Sequence, residues 1–201
     1  MDLTTITTYN QLAQAYDDET VDFWARFPGE FVDEFAKRNS GKVLNVGSGP
    51  GRDSAFLRDR GVDVTCLDAS EAMIAMTEAQ DFQSVLGDFN AMPFADGEFD
   101  GVWAYTSLLH VPKSEIDTSM KEISRVLKSG GVFALGMIEG EFDDYRSTSG
   151  VGAPRWFGFY TKAEMEEVLK RNGFETIHFA EYKPGTKNYL NFIAKKTTPS
   201  F

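Results

Sequence analysis

VLNVGSGPGRDSAFL, residues 43–57, is the stretch whose reading decides the fold. An apolar run ends at Val46, glycines stand at every second position (Gly47, Gly49, Gly51), and a segment of helical spacing begins at Arg52. A strand, a glycine loop and a helix in that order aim backbone N–H groups and the positive end of a helix dipole at the carboxyl edge of a parallel sheet. Glycine lets a ligand come close to the main chain there. The stretch therefore predicts a binding site as well as a local fold.

Outward from it, the chain alternates short apolar or β-branched runs with longer stretches of helical period, the pattern of an α/β fold with a largely parallel sheet. Seven runs read as strands: KVLNVG, VDVTCLD, FQSVLGD, FDGVWAYT, GVFALGMI, FETIHFAEY and NYLNFIAKK. Helices are expected over 52–60, over 70–79 with Ser70 as N-cap, and over 114–128 with a stop at Ser129-Gly130-Gly131. Another is expected over 161–172, opened by a capping box of Thr161 with Glu164 and ended by Gly173. The turn sequence Lys183-Pro184-Gly185-Thr186 joins the last two strands without a helix, so that pair is antiparallel. Two segments fall outside the alternation. Residues 1–40 carry two helical patterns, LAQAYDD and VDFWARFPGEFVDEFAKR, and residues 139–160 form a long glycine- and aromatic-containing connection of the kind that carries function or disorder.

Composition narrows the class. The length of 201 residues fits one ordinary domain. A formal net charge of −11 repels phosphate backbones and anionic lipids, which disfavours nucleic acid and membranes as partners. No basic apolar leader and no membrane-length apolar run is visible, so the expected location is cytoplasmic. Cys66 stands alone and forms no intrachain disulfide, and no metal is expected.

The loop is not a dinucleotide fingerprint, because the sixth position counted from Gly47 is Arg52 and not glycine, and Gly51 is followed by Arg-Asp-Ser where a phosphate loop has G-K-[ST]. An acidic residue, Asp68, closes the second strand, where a carboxylate accepts from vicinal ribose hydroxyls. Asp88, at the end of the next strand, is placed to accept from an exocyclic amine. Loop, first acid and second acid trace a nucleoside without its phosphates.

With NVGSGPGRDSAFL, CLDASEAM, GDFNAMPFADGEFDGVWAYTSLLHVP and EISRVLKSGGVFALG in that order, residues 43–138 resemble the class I S-adenosylmethionine-dependent methyltransferases, in the small bacterial form with a short N-terminal helical lid. PRWFGFYTKAEMEEVLKRNGFE extends the resemblance more weakly, and together the pieces cover most of the chain. The resemblance implies a Rossmann-like fold: a seven-stranded, mostly parallel sheet with an antiparallel last strand, helices on both faces and the lid over 1–40. Residues 41–138 would form the cofactor core, 139–160 the acceptor-side connection, and 161–201 the last helix and strand pair. It also implies S-adenosylmethionine as cofactor, S-adenosylhomocysteine as product, and a small-molecule methyl acceptor.

Roles follow from the resemblance residue by residue. Gly47, Ser48, Gly49 and Gly51 would admit the methionine part of the cofactor, and Asp68 would bind its ribose. Ala69 and Met73 would pack on adenine, Asp88 and the backbone of Phe89 would read its edge, and the main chain at Ala104 and Tyr105 would face the methionine. Arg52 would pair with the methionine carboxylate or else lie on the surface. Tyr16, with Tyr9, reads either as a lid tyrosine or as one packing face. Asn45 departs from the family, which often has an aspartate there, so the expected affinity is lower.

In-line methyl transfer from a sulfonium rests on alignment and water exclusion, and a base is needed only when the acceptor must lose a proton. His110 and Tyr105 are the candidate catalytic groups at the cofactor edge, with a buried structural role as the alternative for His110. His178 reads as structural. Arg146, Arg155, Trp156 and Phe159 suggest an apolar or aromatic acceptor with an anionic group, or else rings that cover a sheet edge beside solvated arginines. Trp24, Phe23 and Phe27 read as core. A protein or tRNA acceptor, and a non-catalytic binder of the cofactor or its product, are the competing functions.

Overall fold

A computed structural model describes residues 2–39 and 41–197. Along the chain run α1 (Leu3–Ala25), α2 (Gly29–Ala36), β1 (Lys42–Val46), α3 (Arg52–Arg58), β2 (Asp63–Asp68), α4 (Glu71–Glu78), β3 (Gln83–Leu86) and β4 (Phe99–Tyr105). A 3-10 turn (Leu108–His110), α5 (Ile116–Val126), β5 (Leu127–Ile138), β6 (Asp143–Ser147), β7 (Pro154–Gly158), α6 (Lys162–Arg171), β8 (Phe174–Tyr182) and β9 (Tyr189–Lys196) follow. Seven strands form one sheet of order β3-β2-β1-β4-β5-β9-β8. Strands β1 to β5 pair in parallel, and β9 runs antiparallel to both β5 and β8. The architecture is the expected one, with β9 as the reversed strand. Among the described residues no helix is long and apolar enough to cross a membrane.

Strand alternation assigns each side chain to a face. Leu44, Val46, Val102, Ala104, Phe133 and Leu135 pack against α5 and α6 residues such as Met120, Ile123 and Leu169. Val43, Cys66, Trp103, Tyr105, Ala134 and Ile193 face the other way, onto Phe31 and Phe35 of α2 and Leu57 of α3. Phe23 packs partly buried on this second cluster, which also holds Trp24 and Phe27, so these three rings are core.

Helix ends follow local chemistry. Thr161 and Glu164 form the capping box, Ser70 caps α4 through the Met73 N–H, and Gly173 follows α6 with φ of +79°. Two expectations change. The helix expected over 114–128 ends at Val126, because Leu127 is already extended and pairs with Phe99 before the left-handed Gly130 re-aims the strand. The connection over 139–160 contains an antiparallel hairpin, β6 with β7, whose strands pair only with each other. At the N-terminus α1 runs on through the first pattern into the second, broken at Leu12, and Pro28 starts α2.

Candidate functional site

The glycine loop is tied down by the sheet edge. The N–H groups of Gly47 and Ser48 donate to the Leu67 carbonyl at 2.8 and 3.0 Å, and Ser107 Oγ donates to the Val46 carbonyl at 2.6 Å. Gly47 has φ of +70°, and a Cβ there would fall 2.3 Å from the Ser107 Cβ, so both the backbone and the space require glycine. Asp68 braces the loop from β2: Oδ2 accepts from the Gly49 N–H and Oδ1 from the Ser70 N–H, each at 2.9 Å. A carboxylate offers about four lone-pair sites, and with the Ala69 N–H as a third backbone donor about one is left for a ligand. Burial raises the Asp68 pKa above the usual carboxylate value.

Above this edge lies a small cavity of about 50 Å³ that opens to solvent. Its walls include Gly47, Gly49, Asp68, Ala69, Met73 and Phe89. Tyr9, Tyr16, Tyr105, Thr106, Ser107 and His110 complete it. A second cavity of about 160 Å³ adjoins it between α1 and the hairpin, and the two share Tyr9, Tyr16, Thr106 and His110.

Helix α1 closes both cavities. Asn10 Oδ1 accepts from Ser70 Oγ at 2.8 Å, Thr8 Oγ1 donates to the Pro154 carbonyl at 2.8 Å, and the Trp156 N–H donates to Thr5 Oγ1 at 2.9 Å. The helix therefore bridges the start of α4 and strand β7. Inside, the Arg155 Nη1 donates to the Tyr9 hydroxyl oxygen at 3.0 Å. His110 meets the Trp156 carbonyl through Nδ1 at 2.6 Å and Tyr9 through Nε2 at 2.7 Å. A carbonyl only accepts, so Nδ1 carries the proton and Nε2 accepts from the Tyr9 O–H. Burial pushes the His110 pKa down to about 3, so the ring is neutral at physiological pH with both nitrogens engaged.

Behind the loop, Asn45 is fully buried and donates through Nδ2 to Asp53 Oδ1 and Ser54 Oγ, both at 2.8 Å. Asp53 Oδ2 accepts from Trp103 Nε1 at 2.9 Å. The carboxylate missing from position 45 thus stands in the first turn of α3.

Several expected site residues hold contacts outside the two cavities. Arg52 ion-pairs with Asp17 of α1 at 2.6 Å and does not line either cavity. Tyr105 borders the first cavity, but its hydroxyl donates to Asn191 at 2.9 Å, because alternation turns the ring onto the α2 face beside Trp103. Asp88 caps its own turn by accepting from the Asn90 N–H at 2.8 Å, while its neighbour Phe89 lines the cavity. Ala104 packs in the α5 face, Gly51 is the left-handed residue before α3, and Ser48 is buried in the loop. Arg146 is exposed on β6, and the Trp156 indole bonds Asp143 and packs on Tyr145, outside the second cavity. Phe159 packs on Phe142 and Phe157. His178 lies on β8 against Phe31. Lys187, Tyr189, Glu19 and Thr106 line the site without having been singled out from sequence. Of these, Thr106 has φ of +54°, a conformation no sequence signal announces.

The family model described as a methyltransferase domain matches residues 44–135. Demethylmenaquinone methyltransferase of Beutenbergia cavernae is 37% identical over 147 residues, 69% of this chain and 55% of that protein. Malonyl-[acyl-carrier protein] O-methyltransferase of Pseudescherichia vulneris is 29% identical over 133 residues, 63% of this chain and 50% of that protein. The chain spans about half the length of these curated relatives. Among solved structures, the DhpI–SAH complex superposes with a TM-score of 0.81 over 99% of this chain and 100% of that one, at 23% identity, which is a likeness of fold.

Proposed function

The chain belongs to the class I S-adenosylmethionine-dependent methyltransferase family, and from that premise we propose that it transfers a methyl group from S-adenosylmethionine to a small-molecule acceptor held between α1 and the β6–β7 hairpin. The observation that carries the reading is the junction of two cavities at Tyr9, Tyr16, Thr106 and His110, one on the glycine-loop edge and one under the lid. A donor in the first and an acceptor in the second would meet there, screened from water by α1.

The residues present fit this cofactor. Asp68 would accept from the ribose, Ala69 and Met73 would flank the adenine, and Phe89 with Asp88 would close its edge. The main chain at Gly47 and Gly49 would take the methionine part, since a Cβ at Gly49 meets nothing nearer than Tyr16 at 3.8 Å. When bound, the cofactor supplies a methyl group on a sulfonium leaving group. The chain then has to align and desolvate the reactants. Tyr9, fixed by His110 and Arg155, would orient the acceptor, and His110 acts through Tyr9 as a positioning residue. Charge behind the loop comes from Asp53, held by Asn45. Arg52 with Asp17 would pin the lid.

Calorimetric titration with S-adenosylmethionine, S-adenosylhomocysteine and NAD tests the binding half. Saturable binding of both sulfur nucleosides and none of NAD is expected. Labelled transfer to a panel of phenols, amines, thiols and carboxylates tests the second half. Failure of both nucleosides to bind overturns the proposal, and binding without transfer to any acceptor turns it into a sensor.

A further inference from the structure

The second cavity carries more charge than alignment requires. Arg155 is only 3% exposed, and among the described residues no carboxylate pairs with it. Two of its five N–H donors are used, one on Tyr9 and one on Thr148 Oγ1 at 2.5 Å, while the buried Nε has no acceptor at all. Rings of Phe157, Tyr9 and Tyr16 stand 5.2, 5.3 and 5.7 Å from its guanidinium carbon. Cation–π contacts return less than desolvating a charge costs.

Lys187, between β8 and β9, lines the same cavity and makes no ion pair among the described residues. Lys187 is exposed on this turn, and partial desolvation, then the charge of Arg146, holds its pKa below the usual lysine value. Glu19 supplies the carboxylate on this wall, and its Oε2 already accepts from Thr148 at 3.1 Å. Two cations against one anion, in a chain of net charge −11, mark a site built for a negative group. Phe23, Trp24 and Tyr189 give the rest of the cavity an aromatic wall.

We propose that the second cavity binds an oxyanion, a carboxylate or a phosphoryl group attached to an apolar or aromatic body, with Arg155 and Lys187 as its cationic partners. That this ligand is the methyl acceptor rests on the function proposed above; that the cavity binds the anion does not. The free Nε and the remaining Nη protons of Arg155 offer the planar fork that such groups accept from, and the pairing relieves an uncompensated buried charge.

Calorimetry on the full chain with phenylacetate, phenylphosphonate and neutral phenylacetamide, each with and without S-adenosylhomocysteine, tests the site. At least one anion should bind about tenfold or more tightly than the amide, also with S-adenosylhomocysteine present, since a hydrogen bond to a charged group is worth about 1.5–3 kcal/mol. Preference for phenylacetate identifies a carboxylate, and preference for phenylphosphonate a phosphoryl group. Lys187→Met should reduce anion affinity about tenfold and leave the amide unchanged; because Lys187 donates no hydrogen bond within the described residues, this variant is expected to fold. Arg155→Met should reduce it further, and Arg155→Lys should restore part of the loss. Equal affinity for amide and anions, no binding of either anion at millimolar concentration, or anion affinity indifferent to both substitutions would overturn the inference. Anion binding that depends on Lys187 without any binding of S-adenosylhomocysteine would instead sink the methyl-transfer reading and leave the anion site standing.

Discussion

Asp53→Asn should flatten the pH dependence of folding stability. The carboxylate accepts from Asn45 Nδ2 at 2.8 Å, from the Ser54 N–H at 2.9 Å and from Trp103 Nε1 at 2.9 Å. Burial still outweighs these donors and raises its pKa from 3.8 to about 6. In the unfolded chain the ordinary value returns, so the native state holds the proton more tightly. The stability linked to this group is therefore fully present below pH 3.8 and is lost as pH rises through about 6. At about 1.4 kcal/mol per pKa unit, the whole span is worth about 3 kcal/mol, of which about 1.4 kcal/mol falls between about pH 5 and about pH 8. Urea unfolding of both proteins at these two pH values reads it directly, provided the m-values match. At a single pH the substitution is mixed, because the new amide sets a donor against Trp103 Nε1 at a cost of about 1–3 kcal/mol. The double difference removes that term and the contribution of Asp68, whose pKa is also raised by burial. Identical pH slopes in the two proteins would refute the buried, ionising role given to Asp53.

Asp68→Ala should weaken S-adenosylmethionine binding by about tenfold or more, since a charge-assisted hydrogen bond at about 1.5–3 kcal/mol is removed; undiminished affinity in calorimetry would displace the ribose site. Gly61→Ala and Gly47→Ala both force an L side chain to positive φ, at +76° and +70°, but only position 47 has a collision, 2.3 Å from Ser107 Cβ. Thermal unfolding should show a loss of about 1–2 kcal/mol at Gly61 and a larger one at Gly47, and equal losses would deny the tight approach. Tyr9→Phe strands His110 Nε2 and one Arg155 N–H, and should cost about 1–3 kcal/mol in urea unfolding. The chain has two histidines, and the His110 ring should show no protonation by NMR between about pH 5 and about pH 8; a titration in that window would return it to the candidate bases.

What the sequence announced was what is local. Strand β1, the three glycines and α3 are contiguous, Asp68 and Ser70 sit on one strand-to-helix turn, and Thr161 with Glu164 needs only four residues to be recognised. Asp53 was legible in part: β1 and β4 place Asn45 beside Trp103 in register, and alternation turns both onto the α2 face, where a first-turn acid of α3 can meet them. Read alone, that acid is an ordinary companion of a helix N-terminus. The set of Tyr9, His110 and Arg155 carries no such signal, because Tyr9 lies 101 residues from His110 and 146 from Arg155, and the three meet only after α1 and the hairpin have docked. The hairpin itself hides in the sequence for a related reason. All five residues of β6 are exposed, so no apolar alternation marks it.

This division has a consequence for how the protein can change. The glycine-loop edge is welded to the sheet: Gly47 bonds the end of β2, and the strand residues Asp68 and Asn45 bond the loop and α3, so altering them disturbs the core that positions them. The second cavity is lined by α1, the hairpin and the turn carrying Lys187, and side-chain hydrogen bonds hold α1 to the hairpin. A substitution at Lys187, on the turn outside the strands, can therefore change what the second cavity binds while the seven-stranded sheet and its glycine loop stay as they are.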